Sequence, residues 1–195
     1  SNENTNGLGE FYLNYIKDVP SIKSNFNVMA GTSLQHFYNS STSYNSNVPV
    51  INDSSTQEYI RDTIINKGEY YLQSYFGRLN YTFNERFLFT ATVRADGTSR
   101  FSEDNRWGVF PAVAVGWKIN EEAFLRDSKV VSLLKLRIGW GITGQQDIGG
   151  YYDYMGRYTY GNQFAMYPFG NTYNITLRPE GYNENLKWEE TTTWN

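Results

Sequence analysis

Gly139-x-Gly141-x-x-Gly144 spells a dinucleotide-binding fingerprint, a motif that needs a strand before it and a helix after it so that a pyrophosphate meets a helix N-terminus. Here the first two glycines fall inside a strand-like run, and Gln145-Gln146-Asp147-Ile148-Gly149-Gly150 is poor helix material. The glycines read as small residues of a strand, and no cofactor is expected. Glu121-Glu122 and Glu189-Glu190 are paired carboxylates, the groups of general acid and base catalysis, but adjacent residues do not face each other on a helix and point to opposite faces of a strand. Asp96 with Ser102-Glu103-Asp104-Asn105 offers oxygen ligands without the spacing of a calcium loop. His36 is the sole histidine and there is no cysteine, which rules out a multi-histidine or thiolate metal site, and no Gly-x-Ser-x-Gly elbow is present. No metal site is expected, and no enzyme. The cations Arg78, Arg94, Lys135 and Arg137 are different in kind, because each falls on the polar side of an alternating run. There they could line a passage or simply be solvated.

The elements that would carry these cations share a two-residue rhythm. Tyr75, Gly77, Leu79, Tyr81 and Phe83 alternate with Ser74, Phe76, Arg78, Asn80 and Thr82; after Asn84-Glu85-Arg86, Phe87, Phe89, Ala91 and Val93 alternate with Leu88, Thr90, Thr92 and Arg94. A third run sets Val109, Pro111, Val113, Val115 and Trp117 against Gly108, Phe110, Ala112, Ala114 and Gly116. Each predicts a strand with one apolar face and one polar or small face. Either the apolar faces pack on a second layer, as in a soluble sandwich, or they meet lipid while the polar faces line water, as in a transmembrane barrel.

Composition narrows the function. Aromatics make up 17% of the chain and charged residues 19%, a bias towards interfaces. A net charge of −3 with a pI near 5.2 lacks the basic field that engages phosphates, so nucleic acid is not an expected partner. The length suits one large β domain. No apolar run is long enough for a membrane-spanning helix, which leaves a barrel open. The N-terminal SNENTNGLGE has neither the basic region nor the apolar core of an export signal.

Along the chain, Phe11–Lys17 predicts a short strand stopped by Asp18-Val19-Pro20-Ser21, and residues 22–37 alternate again over a longer span. Residues 39–66 are rich in Ser, Asn and Thr and read as a loop. Asn120-Glu121-Glu122-Ala123-Phe124-Leu125 predicts one short helix capped by Asn120. Leu134–Thr143 is a further strand. Residues 144–185 form a Tyr-, Gly- and Asn-rich insertion with a hairpin expected around 158–167, whose aromatics could stack on sugar rings or pack the loop. Leu186, Trp188 and Trp194 close the chain as the apolar side of a last strand. The result is about seven strands whose connections run short, long, short, long, intermediate, long. That sorting suits a barrel, with turns on one side and loops on the other, better than a sandwich.

Four motifs in order carry a resemblance: Arg94-x-Asp96-Gly97-Thr98-Ser99-Arg100-Phe101, Trp107-Gly108-x-Phe110-Pro111, Leu134-Lys135-Leu136-Arg137 leading into Gly141-x-Thr143-Gly144, and Leu186-x-Trp188-Glu189. With them the chain resembles the barrel of SusC/RagA-family TonB-dependent outer-membrane transporters. Thr98 stands where that family more often has serine, and the N-terminal 70 residues match in outline. The resemblance implies an all-β, antiparallel up-and-down meander, residues 1–195 being part of a large transmembrane β-barrel without its plug domain. It implies import of glycans or peptides across the Gram-negative outer membrane, with outer-membrane lipid around the wall. A SusD-like surface lipoprotein and the TonB complex would act as partners through parts of the full-length protein outside this chain. Arg78, Arg94 and Arg137 become candidates to line the lumen and bind substrate. The competing reading is a soluble β-sandwich that binds carbohydrate through Tyr-rich loops.

Overall fold

A computed structural model describes residues 1–47, 60–126, 130–147, 149–160 and 166–195. Seven antiparallel strands form one sheet in consecutive order: β1 (Asn2–Val19), β2 (Ser24–Asn47), β3 (Ile60–Phe83), β4 (Phe87–Thr98), β5 (Trp107–Lys118), β6 (Lys135–Gln145) and, after an excursion, β11 (Glu189–Trp194). The excursion holds β7 (Tyr158–Tyr160) paired with β10 (Leu177–Pro179), and β8 (Met166–Phe169) paired with β9 (Thr172–Ile175). The meander is the expected one.

Register explains why the two faces differ. Phe87 lies opposite both Phe83 and Trp117, Phe89 opposite Tyr81 and Val115, Ala91 opposite Leu79 and Val113, and Ile138 opposite Val115. Pairing thus aligns the odd residues of three strands with the even residues of β6, giving one continuous apolar face. Its side chains are exposed: Val115 by 54%, Ile138 by 60% and Val109 by 57%. The opposite face carries Ser74, Arg78, Asn80, Thr90, Thr92, Arg94 and Asp96, then the small residues Ala112, Ala114, Gly139 and Gly141.

The tight turns at one end have identifiable chemistry. Asn84 and Glu85 both adopt left-handed φ (48° and 56°), and the Arg86 amide donates to the Phe83 carbonyl at 3.1 Å. Two positive φ angles make the primed hairpin turn that matches strand twist, and asparagine tolerates the first of them. Between β1 and β2, Pro20 opens a single 3-10 turn and Lys23 closes it in the left-handed region.

Several expectations change: the short strand over Phe11–Lys17 is the longer β1, and the last strand starts at Glu189, leaving Leu186 and Trp188 to a core away from Trp194. The strands β2 and β3 run on through the Ser/Asn-rich sequence as far as Asn47 and from Ile60, so the expected loop over 39–66 is largely ladder; residues 48–59 lie outside the described set. Polar composition here marks a strand with wet faces, and cross-strand contacts such as Ser41 Oγ to Asn2 Oδ1 at 2.9 Å favour pairing over coil. The helix expected at 120–125 is a 3-10 turn, Ile119–Glu121, followed by one turn in which the Leu125 and Arg126 amides donate to the Glu122 carbonyl. Asn120 does not cap it: its Oδ1 accepts from the Leu134 amide, tying together the two ends of the connection. The expected hairpin at 158–167 is displaced, since Tyr158–Tyr160 pairs with Leu177–Pro179 and the hairpin closes at 166–175. Residues 161–165, also within that expectation, lie outside the described set.

The only hydrophobic core among the described residues sits on the polar face, at the end opposite the tight turns. Phe101, Phe110 and Trp188 are buried there, with Phe101 fully enclosed, and Leu72, Ile142 and Leu186 pack around them. The Trp188 ring meets Phe101 and Phe110 edge-on at 5.7 and 5.3 Å, and its indole N–H donates to the Arg106 carbonyl. Such edge-to-face contacts add to simple burial. Gly108 and Gly144 leave room for Phe110, whose ring would stand 2.4 and 2.1 Å from a side-chain carbon at either position.

Phe101→Ala should therefore cost about 3–5 kcal/mol, against less than about 0.5 kcal/mol for Phe124→Ala on the exposed connection. Denaturant unfolding of the two variants checks this, with the larger loss expected as a lower midpoint at unchanged slope.

Candidate functional site

Parity puts Arg78, Arg94 and Arg137 on the polar face, together with Lys135. Their surroundings separate them. Arg94 is already engaged: its Nε donates to both oxygens of Asp96 at 2.7 and 2.9 Å, and its Nη2 donates to Ser74 Oγ at 3.0 Å. Asp96 and Ser74 are buried beneath it. This arrangement neutralises the cation locally and fixes its direction. Arg78 and Arg137 are exposed and take part in none of the ion pairs among the described residues. Near Arg78, Thr90 Oγ1 donates to Asn80 Oδ1. The face thus presents two open guanidinium groups, hydroxyls and an amide over a smooth floor of alanine and glycine. It can bind anionic or hydroxyl-bearing groups, but it brings no acid, base and nucleophile together.

The other chemical candidates resolve into structural contacts. Gly139, Gly141 and Gly144 all lie within β6, and no helix follows among the described residues. Glu189 and Glu190 occupy consecutive positions of β11 and so point to opposite faces. No cluster of three or more potential metal ligands occurs among the described residues. His36 lies at the register of the apolar face but beyond its apolar part, where Nε2 meets Glu69 Oε1 at 2.8 Å and the ring stacks on Tyr71 at 4.5 Å.

The tight-turn end holds an open cavity of about 910 Å³ lined by Lys23, Glu85, Arg86, Glu121 and Arg126, among others. Beside it, Glu122 accepts from the Trp117 indole N–H at 3.0 Å and from Arg86 at 2.7 Å. The indole hydrogen bond, opposed by partial desolvation and reinforced by Arg86, holds the Glu122 carboxyl below the usual carboxylate range.

The residues that sequence reasoning treated only as a motif include some of the most buried side chains among the described residues. Arg100, 4% exposed, directs Nη1 and Nη2 to Asp147 Oδ1 at 3.1 Å each and Nη2 to the Gly149 carbonyl at 2.7 Å. Trp107 lies over Gly97 and stacks on Tyr75 at 5.9 Å. Tyr151, within the aromatic insertion, stacks on Tyr70, whereas Tyr158, Tyr167 and Tyr173 are exposed. Loop packing and open aromatic surface therefore coexist in one insertion. Three of the four motifs supply Phe101, Phe110 and Trp188, and the third motif supplies Gly144 beneath Phe110. That convergence was the available signal.

Comparison with known proteins decides the family. Residues 2–195 match the model of the TonB dependent receptor-like β-barrel. The chain belongs to that family. It is 50% identical over 188 residues to TonB-dependent receptor SusC of Bacteroides thetaiotaomicron, covering 94% of this chain and 18% of that protein. Against TonB-dependent receptor P39 of Formosa agariphila it is 33% identical over 198 residues, covering 95% of this chain and again 18% of the relative. The chain thus spans less than a fifth of the length of these curated relatives. Among solved structures it superposes on the RagAB peptide transporter with a TM-score of 0.80 at 21% identity, over 99% of this chain and 21% of that one, and on the open-open state of the RagAB importer with a TM-score of 0.71. The likeness in fold is that of a barrel segment, and the soluble sandwich is not favoured.

Because a depressed carboxylate stabilises only while ionised, the Glu122 contribution is complete above the ordinary carboxylate value and is lost as pH falls through its lowered folded value. Glu122→Gln should lower the melting temperature at pH 7, and the gap from the parent should shrink and close as pH is taken well below about 4. Thermal scans at stepped pH check the sign; a gap that widens in acid would contradict it.

Proposed function

We propose that this chain is a wall segment of an outer-membrane TonB-dependent importer of glycans or peptides, with its apolar face against lipid and its polar face towards the lumen. The observation that carries the reading is the exposed apolar face with aromatic residues at its two levels. Phe83, Phe87 and Trp117 stack in a row at the tight-turn end, and Tyr75 and Trp107 stack at the other. Trp107 and Trp117 bracket β5. At a rise of about 3.3 Å per residue and a tilt of about 45°, the rows lie about 23 Å apart, close to the apolar band of outer-membrane barrels. Between them stand Leu79, Tyr81, Phe89, Val93, Val113, Val115 and Ile138. Beyond the upper row the same face turns to Gln73, Tyr71, His36 and Glu69. That change from apolar to polar is what leaving the membrane requires.

The short turns then lie on the periplasmic side and the long connections outside the cell. The likeness to SusC and to the RagAB peptide transporter supports glycan or peptide cargo and a surface lipoprotein partner of the SusD type, with TonB supplying energy through the rest of the full-length protein. Residues 1–195 contribute wall and no plug, and no catalysis or cofactor is assigned to them. Arg78 and Arg137 are the substrate-facing cations. Arg94 is instead held by Asp96 and Ser74.

In the full-length protein, Val113→Arg should cost about 2–4 kcal/mol of folding free energy and Trp117→Arg, at the interface, only about 0–1 kcal/mol. Arg78→Glu should leave folding unchanged and alter uptake. Unfolding in lipid together with growth on the imported nutrient reads all three. Equal tolerance of arginine at positions 113 and 117 would remove the lipid assignment.

A further inference from the structure

The long connection between β6 and β11 is not uniform, and its first part is fastened to the wall by a buried cation. Arg100, from the β4–β5 connection, lies against the stacked rings of Tyr70 of β3 and Tyr151 of the insertion, 5.2 and 5.6 Å from their centroids. Its guanidinium also binds Asp147 and the Gly149 carbonyl, with a longer contact to the Gly150 carbonyl at 3.4 Å. A buried guanidinium that gains a carboxylate, carbonyls and two π faces from three segments is held only while all three stay in place. Further ties converge on the same part. The Tyr152 hydroxyl donates to the Glu69 carbonyl, Asp153 Oδ2 accepts from the Gly150 amide at 2.7 Å, and the Asn183 amide donates to the Asp153 carbonyl at 3.0 Å. Tyr151 is seated where β3 has no side chain, since a side-chain carbon at Gly68 would stand 2.2 Å from its ring. Gly68 and Tyr70 share the parity of Ser74 and Arg78 and so belong to the polar face. By contrast, β8 and β9 form a separate two-stranded sheet among the described residues, with Phe169 68% and Tyr173 69% exposed.

We infer that residues 149–157 form a fixed strap across the inner rim of the wall, pinned by Arg100, which narrows the outer mouth of the passage and excludes bulky solutes from the polar face beneath it. The inference rests on the lumen assignment made above. Motion needed to admit cargo is then left to the β8–β9 finger and not to the strap.

Two variants release the strap by different means. Arg100→Leu removes the pin, and Gly68→Val unseats Tyr151 while giving β3 a better strand former. The test uses the full-length transporter, freed of other cysteines, in intact outer membranes, with Ser33→Cys as reporter. Ser33 pairs with Ser74 on the polar face, four residues from Phe37, whose ring stacks on Tyr70. A small water-soluble maleimide and a maleimide carrying a 5-kDa polyethylene glycol chain (about 5 kDa, chosen to exceed a wall-side gap) are compared. In the parent background the small reagent should label and the large one should not; either release variant should raise the large-to-small rate ratio at least about tenfold. Hydrogen exchange gives the second readout: the Gly150, Met155 and Asn183 amides should exchange at least about tenfold faster in Arg100→Leu, with β6 amides unchanged. If the small reagent fails to label the parent, the lumen assignment falls. If it labels while ratio and exchange stay the same in both variants, that assignment stands and the strap is overturned.

Discussion

Each strand of this sheet shares its backbone hydrogen bonds with its neighbour, in chain order up to β6 and then with β11, and that continuous ladder is the constraint on which the rest depends. In hydrocarbon an unpaired amide or carbonyl has no water to turn to, so a spanning wall of strands must satisfy each group from a neighbour. Once the ladder is in place, side-chain direction follows from parity alone. A one-residue slip between β4 and β5 would carry Phe89, Ala91 and Val93 into alignment with Ala112, Ala114 and Gly116, mixing the two faces. Register is therefore held by the same apolar pattern that makes one face of the sheet continuous. The tight turn at Asn84-Glu85, with its two positive φ angles, sets the starting point.

Beyond the apolar band the faces of the ladder change character, and a different device takes over. The connections fold inward onto the polar face and build a small core of Phe101, Phe110 and Trp188, beside the buried Arg100. Glycines at 68, 97, 108 and 144 let the aromatic rings of Tyr151, Trp107 and Phe110 approach the backbone closely. The motifs by which the family resemblance was reached are mostly the parts of this knot. They report how loops are anchored to a barrel rim, and the open cations Arg78 and Arg137 lie outside this knot.

Strand order and facing were readable because period-two alternation is strict where one face must be apolar: Phe87 to Val93 and Val109 to Trp117 needed no further information. Strand ends were not. Asn39–Asn47 and Ile60–Asn66 carry composition typical of loops, yet they continue the ladder because a paired neighbour outweighs local propensity. Asn120 looked like a helix cap, but the same side chain reaches Leu134 across the connection, a contact no local pattern encodes. The pairing of Tyr158–Tyr160 with Leu177–Pro179 is likewise a matter of tertiary closure. Arg94 was placed on the correct face by parity, while its occupation by Asp96 and Ser74 needed three-dimensional distances.

The account turns on which face meets lipid, and a spin-label scan along β4 addresses that most directly. Labels placed singly from Leu88 to Ala95 in the full-length protein in bilayers can be probed with oxygen, which partitions into lipid, and with a water-soluble nickel chelate. Oxygen accessibility should peak at 89, 91 and 93 and nickel accessibility at 90, 92 and 94, a two-residue alternation with opposite phases. In-phase accessibilities, or the opposite assignment of the two sets, would contradict it.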